Sequence, residues 1–296
     1  MVCDREQPAL DGACERFPGA KPTPNLEDIL DSRDGLDALL ICLYPPLSLD
    51  FLRRAIARGF KNILVEKPVS HSAADIRRAA EEAANAGAHV HVAYNRLHHP
   101  ALGEFTRAVR ELGGLESISA KLLRTDRKEP GFYADVTPHP LSVFHNLLGD
   151  LSVQDVTFGD LKNGIPEFLD VTLQSADGVR ATLKMQPPSG EVAEYYEASS
   201  GGRHLRLPFL PACSGAGWSS SVAGVTKFHG VPEPLGLSEP LITNWRTGFL
   251  SQMAGFLRDE APLCSPKQAA AILETLETIL NCHRGKTATA VPGQIP

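Results

Sequence analysis

The sequence lacks a long apolar run, a concentration of positive charge and any closely paired cysteines. Its longest apolar stretch, Leu36 to Tyr44, is interrupted by Asp37 and is far too short to cross a bilayer. With 29 Lys and Arg against 35 Asp and Glu, the net charge is -6, which argues against nucleic acid or an anionic membrane as the main partner. The six cysteines (Cys3, Cys14, Cys42, Cys213, Cys264, Cys282) are scattered without a C-x-x-C pair. They read as reduced thiols, mostly small core residues. No pair of histidines comes with a third ligand at metal spacing, so no metal is expected. Met1 to Glu6 carries no basic-plus-apolar leader pattern, which makes a cytoplasmic globular protein the expectation. At 296 residues and 43% hydrophobic, the chain has room for a sizeable core and two domains.

What is present is a rhythm of short apolar bursts that end at breakers. Leu36 to Leu43 stops at Pro45-Pro46, Asn62 to Val65 stops at Glu66-Lys67-Pro68, and Ala88 to Ala93 stops at Tyr94-Asn95-Arg96. Between them lie helical patterns, one capped by Ser48 and ended by Gly59, the next opened by Ser70 or Ser72 and ended by Gly87. Upstream, Met1 to Asp4 reads as the end of a strand, Pro8 to Phe17 as a helix, and Asn25 as an N-cap. Strand–helix–strand at this spacing implies a parallel sheet, and ligands of such sheets sit outside the carboxyl ends of the strands. The three breaker clusters would therefore share one edge.

At these clusters, LDALLICLYPP, NILVEKP and VAYNRLHHPAL, the sequence resembles the Gfo/Idh/MocA family of NAD(P)-dependent oxidoreductases. The resemblance implies an α/β fold: a Rossmann-type dinucleotide-binding domain over residues 1–98, then a substrate-binding and oligomerisation domain over 99–296 on a large open, mostly antiparallel sheet. It implies NAD or NADP as cofactor, with a weak preference for NAD, and a homo-oligomer formed through the second sheet. Two departures stand out. The family's opening strand and G-x-G-x-x-G segment are absent ahead of Asp4, so the first domain is expected to be incomplete, with a misplaced start the simplest account. Gly215-Ala216-Gly217-Trp218 is no substitute, because neither a strand before nor a helix after it is expected; it reads as a loop. At Tyr44-Pro45-Pro46-Leu47, relatives often carry Thr or Asn before the prolines and His after them.

In the second half, His99-Pro100 opens a helix to Leu112, and Leu115 to Thr125 alternates as a strand. The run from Asp135 to Gly149 resembles the family's D-x-x-x-H helix, with Asp135 and His139 on one face by their i, i+4 spacing. Ser142 stands where relatives often have Asp. Four strands follow at 152–161, 167–175, 178–186 and 191–198, with a hairpin turn at Asp177-Gly178. Residues 199–238 read as a long Gly/Pro-rich excursion, a lid or a subunit contact. Two helices, about 240–259 and 266–283, and a short strand from Thr287 to Val291 close the chain.

The resemblance assigns Lys67 to the reacting oxygen, His139 to proton exchange and Asp135 to orienting the pair, and an imidazole suits the proton step. Asp135 has a structural alternative as a helix N-cap. Asp4 would meet the cofactor's ribose, although Arg5 beside it would suit a 2′-phosphate. Tyr44, Pro45, Pro46, Glu66, Lys67 and Asn95 complete the expected cofactor contacts. Arg96, Lys67, His139 and Trp245 are the expected substrate contacts, with a salt bridge as the alternative for Arg96. The other histidines, and Tyr195 and Tyr196, read as structural. The expected activity is hydride transfer between a nicotinamide and a hydroxyl or carbonyl carbon of a sugar, cyclitol or related polyol. A non-catalytic dinucleotide or sugar sensor on the same fold, or a biosynthetic ketone or imine reductase, is the alternative.

Overall fold

The computed structural model describes residues 1–287 except 126, 130, 163, 211–215, 259, 261 and 262. The polypeptide forms two compact units, Met1–Val92 and Ala93–Pro296.

The first unit runs β1 (Val2–Cys3), α1 (Gln7–Arg16), β2 (Pro22–Thr23), α2 (Leu26–Asp31), β3 (Leu39–Ile41), α3 (Pro45–Ala57), β4 (Asn62–Glu66), α4 (Ala73–Ala86) and β5 (His89–Ala93). β1 and β2 pair in parallel as a two-stranded sheet, and β3, β4 and β5 form a separate sheet in that order. Helix α4 shows why the pattern was readable. Ser72 accepts the Asp75 N–H as its cap, Ala73, Ile76, Ala79 and Ala83 form one buried stripe, and Gly87 ends it with φ +59°. Asn25 likewise caps α2 by accepting the Glu27 N–H at 3.2 Å.

Two expectations fail here. The run Leu36 to Leu43 yields only three strand residues, and Leu40 is 47% exposed between buried Leu39 and Ile41. Helix α3 begins at Pro45, not after Ser48. Both prolines sit in its first turn, where the missing N–H groups have no intrahelical partner to lose. Ser48 is therefore a buried interior residue and caps nothing.

The second unit opens with a 3₁₀ turn at Asn95–His98, followed by α5 (Leu102–Arg110), β6 (Ser117–Leu123), α6 (Phe132–Val136), α7 (Pro138–Leu148) and β7 (Leu151–Phe158). A two-residue pair, β8 (Leu161–Lys162) and β9 (Ile165–Pro166), precedes β10 (Leu169–Ser175), β11 (Arg180–Gln186), β12 (Ala193–Ser200), β13 (Arg203–Leu210), β14 (Ala216–Val222) and β15 (Val225–Val231). The helices α8 (Glu239–Arg246), α9 (Phe249–Leu257) and α10 (Pro266–Thr287) follow. Eight strands form one sheet in the order β15-β14-β13-β12-β6-β11-β10-β7. Only β6 and β11 run parallel; the other neighbours are antiparallel.

Alternation divides the sheet. Ile118, Ala120, Leu122, Val171, Leu173, Leu183, Met185, Tyr196 and Leu207 face a core shared with Phe105, Phe144 and Leu141. Burying each large apolar side chain contributes about 1.5–3 kcal/mol, so this core holds the α7 helix firmly. The opposite face carries Ser119, Lys121, Asp170, Thr172, Thr182, Lys184, Tyr195 and Glu197 around a shallow groove of about 330 Å³. No described helix is long and apolar enough to cross a membrane.

Residues 199–238 are not a loop excursion but mostly sheet. Gly201 and Gly202, with φ +54° and +74°, turn β12 into β13, and Ala223-Gly224, also at positive φ, turns β14 into β15. Gly217 lies inside β14, where a Cβ would overlap the Phe228 ring and lie 2.7 Å from the His229 carbonyl oxygen. The glycine that looked like loop chemistry admits a neighbouring strand. The helix expected over 240–259 is two helices broken at Thr247-Gly248, so Trp245 and Arg246 end α8 and do not begin a helix. The strand expected from Thr287 to Val291 lies outside the described residues beyond Thr287, which ends α10.

Candidate active site

The first unit supplies a sheet edge. β3 and β4 pair with Leu39 opposite Ile63 and Ile41 opposite Val65, so Cys42 and Glu66 leave the sheet at the same level. Their proximity shows electrostatically: burial pushes the Cys42 thiol up, and the Glu66 charge adds to it. Glu66 is itself pushed up by burial, which outweighs the Lys67 N–H and charge that pull it down. Its carboxylate accepts the Lys67 backbone N–H at 3.2 Å. Glu66 therefore shapes the backbone from which Lys67, half-buried, projects. The Lys67–Pro68 bond is cis.

Of the residues expected to touch the cofactor, Asp4, Arg5, Tyr44, Pro45, Pro46, Glu66 and Lys67 lie in this unit. Asp4 sits half-buried just past β1, where its backbone N–H reaches the Thr23 carbonyl and its carboxylate accepts the Glu6 N–H at 2.9 Å. An acid at the end of such a strand suits a ribose hydroxyl. Arg5 beside it is exposed and pairs with Glu6 at 3.1 Å. Beyond the end of β3, Tyr44 and Leu47 stand exposed, Tyr44 at 85%. For the phosphates, no glycine of the described residues in this unit lies at a helix start, and Pro45 and Pro46 remove two N–H groups from the first turn of α3.

The second unit supplies His139. The chain makes two short helices here because Pro138 and Pro140 lack N–H donors, but Thr137 between them keeps helical angles (φ -55°, ψ -34°). Asp135 thus falls in α6 and His139 in α7, the first exposed and the second buried. Asp135 is not an N-cap: it is the fourth residue of α6, its N–H bonds the Gly131 carbonyl, and it is exposed. His139 is 8% exposed, and its ring meets that of Tyr94 edge-on, with centroids 6.5 Å apart and planes at 85°. Ser142 donates to the His139 carbonyl at 2.6 Å, so the residue standing in the place of an acid serves the helix backbone. A cavity of about 200 Å³ between α7 and α10 is lined by Leu97, Ser142, His145, Asn146, Cys264 and Ile272; His139 and Asp135 do not line it.

Three expected ligand contacts are engaged elsewhere. Arg96 forks onto Glu194 with bonds of 3.2 and 3.0 Å, and its guanidinium lies 4.8 Å from the Phe209 ring centroid. The salt-bridge alternative holds for it. Asn95, 2% exposed, donates to the Thr247 carbonyl at 2.8 Å and accepts from Arg96 at 3.1 Å. Trp245 is buried at the end of α8. Sequence reasoning missed Glu194, and it gave Tyr94 no role beyond its place in the third breaker cluster. Glu194 shares strand parity with buried Tyr196 and Ala198, and a charge at an inward position signals a buried partner.

His99 lies beside this network, its ring tilted at 41° to that of Phe209 with centroids 4.8 Å apart, and its Nδ1 accepts the Ala101 N–H. Burial lowers it from 6.5 to about 4; Glu194 opposes this shift and Arg96 reinforces it. A depressed base keeps its full stabilisation above the unfolded pKa and loses it as pH falls toward the folded one. Stability is therefore expected to be flat above about pH 6.5 and to fall by about 3 kcal/mol toward pH 4. Urea midpoints across that range check this, and a His99→Gln protein with the same slope would discount His99 as the source.

Residues 1–94 match the model of the Gfo/Idh/MocA oxidoreductase family with its NAD-binding Rossmann fold. The inositol 2-dehydrogenase of Rhizobium meliloti (strain 1021) is 25% identical over 174 residues, which is 53% of this chain and 52% of that protein. The chain thus aligns with about half the length of this curated relative. Among solved structures, the UDP-N-acetylglucosamine 3-dehydrogenase of Acidithiobacillus ferrooxidans superposes with a TM-score of 0.79 at 14% identity, covering 95% of this chain and 88% of that one. A 3-ketoreductase of Actinomadura kijaniata, solved with NADP and TDP-benzene, gives 0.75 at 18%, over 95% and 88%. At these identities the likeness shows a shared fold.

Proposed function

We propose that this chain, whose residues 1–94 belong to the Gfo/Idh/MocA oxidoreductases with their NAD-binding Rossmann fold, moves a hydride between a nicotinamide and a hydroxyl or carbonyl carbon of a sugar, cyclitol or related polyol. The observation that carries the reading is Lys67 at the carboxyl edge of the small parallel sheet inside the matched residues. The inositol 2-dehydrogenase relative adds weight to the substrate class.

The bound nicotinamide supplies or accepts the hydride. In the oxidative direction the Lys67 ammonium donates a hydrogen bond to the substrate oxygen and favours its negative charge. His139 takes the hydroxyl proton as the carbon–hydrogen bond breaks; in reduction it returns that proton to the oxygen. Asp135 orients the imidazole. Asp4 accepts from the ribose hydroxyls, which favours NAD over NADP, and Tyr44 and Leu47 cover the ring. The test follows nicotinamide absorbance with NADH and NADPH against a panel of keto-sugars and ketocyclitols. Turnover of one of them is the expected result. Binding of a dinucleotide or sugar without turnover of any would replace this reading with a sensor on the same fold.

The polar outer face of the large sheet serves as a contact between copies of the chain. It mixes Lys121, Lys184, Asp170 and Glu197 with the half-exposed Tyr195. Light scattering is expected to give a multiple of the 31.9 kDa chain mass. A monomer at every concentration would remove this element.

A further inference from the structure

We propose that Tyr94 is a second positioning residue for His139, beside Asp135, held in place by a lock of Asn95, Thr247 and Gly248. The inference rests on the reading of His139 as the acid–base group.

The lock starts from a glycine. Gly248 has φ +87°, and a Cβ there would overlap the Asn95 carbonyl oxygen and lie 3.0 Å from both the His98 carbonyl carbon and the His99 nitrogen. The joint between α8 and α9 therefore seats backbone against backbone on the 3₁₀ turn Asn95–His98, and only glycine admits that approach. The Asn95 side chain closes the contact by donating to the Thr247 carbonyl at 2.8 Å, and its own oxygen is taken by Arg96. Inside the turn, the Leu97 N–H bonds the Tyr94 carbonyl at 3.0 Å. Tyr94 is thus fixed at its backbone before its side chain touches anything.

Its ring then reaches His139. Tyr94 is 5% exposed, and burial drives its phenol far above the ordinary value, so it stays neutral at any working pH. A neutral edge-to-face neighbour restrains the imidazole plane and keeps water from that side of the ring, so its loss changes both the aim of the imidazole and its proton affinity. An acid–base histidine must present one nitrogen along a fixed line to the substrate oxygen. A ring free to tip spends part of each cycle misaimed.

The test compares Tyr94→Leu, Asn95→Ser and Tyr94→Phe in the full chain, each first checked for a cooperative melt. Leucine removes the ring, serine releases the lock but leaves the ring, and phenylalanine keeps the ring edge. Tyr94→Leu and Asn95→Ser are expected to lower kcat about two- to tenfold with KM for both substrates within about twofold. They are also expected to displace the limb of the kcat–pH profile that His139→Ala abolishes, whereas Tyr94→Phe behaves as the parent. A folded Tyr94→Leu or Asn95→Ser protein with native kcat and profile overturns the proposal. So does lower thermal stability with the profile unmoved, which is a packing role only. A raised KM for the nicotinamide nucleotide in Asn95→Ser would instead make Asn95 a cofactor contact. If Tyr94→Leu does not fold, Asn95→Ser and Tyr94→Phe decide. Unchanged turnover in His139→Ala would sink the acid–base reading itself, separately from any result at Tyr94.

Discussion

His139→Ala is expected to lower kcat by about 10²- to 10⁴-fold, the usual contribution of a positioned acid–base group, with the nicotinamide nucleotide bound as before. Lys67→Ala is expected to fall in the same range, but through a different dependence. Removing the imidazole takes away a proton acceptor, so one limb of the pH profile should vanish. Removing the ammonium takes away charge stabilisation that matters most when the oxygen is most negative, so the loss should appear in kcat more than in KM. Lys67→Arg should recover little, because a planar guanidinium cannot present a point charge from the same place. Asp135→Asn should cost less than either, as a group that acts through the imidazole. Losses of this size at Lys67 and His139, smaller than additive in the double variant, would be the signature of one chemical step. Near-native turnover in either single variant would dismiss the mechanism.

How far the sequence discloses this arrangement depends on whether a feature is local. The N-cap at Ser72 and the alanine-lined stripe of α4 are local patterns, and they appear where periodicity puts them. The edge holding Glu66 and Lys67 follows from breakers after strands, which is a topological rule rather than a detail of packing. Features made by distant backbone approach were illegible. Gly248 sits in a run that reads as continuous helix, and its need for positive φ comes from Asn95, 153 positions earlier (248 − 95). Gly217 gave a loop signal for the same reason, since its neighbour is a strand partner and not a turn. The start of α3 was misplaced because a serine competes with two prolines for the helix beginning, and proline there carries no penalty. Arg96 could be weighed only between two roles until Glu194 was found opposite it.

Glu194→Ala is expected to destabilise the second unit by about 3–5 kcal/mol, the largest loss from any single substitution outside the chemistry. Glu194 is fully buried and is bonded by Arg96, by Arg124 at 2.6 Å and by the Tyr196 hydroxyl at 3.1 Å. Burial alone would raise this carboxyl, but the two guanidinium groups outweigh it and hold it below its ordinary value. Removing it strands two cations in a medium that solvates them poorly. Arg124 retains bonds to the Leu123 and Ala193 carbonyls, and Arg96 retains the Phe209 face, yet neither contact supplies negative charge. In a unit of this size the loss corresponds to a drop in Tm of about 10 °C. Calorimetry checks it, and a change below about 1 kcal/mol would mean that water already reaches the triad. Glu194→Gln keeps hydrogen-bonding capacity but not charge, so it should recover only part of the loss. Replacing Arg96, Arg124 and Glu194 together by methionine and leucine should recover most of it, because a buried ion cluster and a packed apolar one are close in free energy. That triple variant would separate the two jobs of the cluster. If stability returns while the turn at Asn95–His98 no longer holds Tyr94 against His139, the charges specify where the turn sits, and the apolar core supplies the stability.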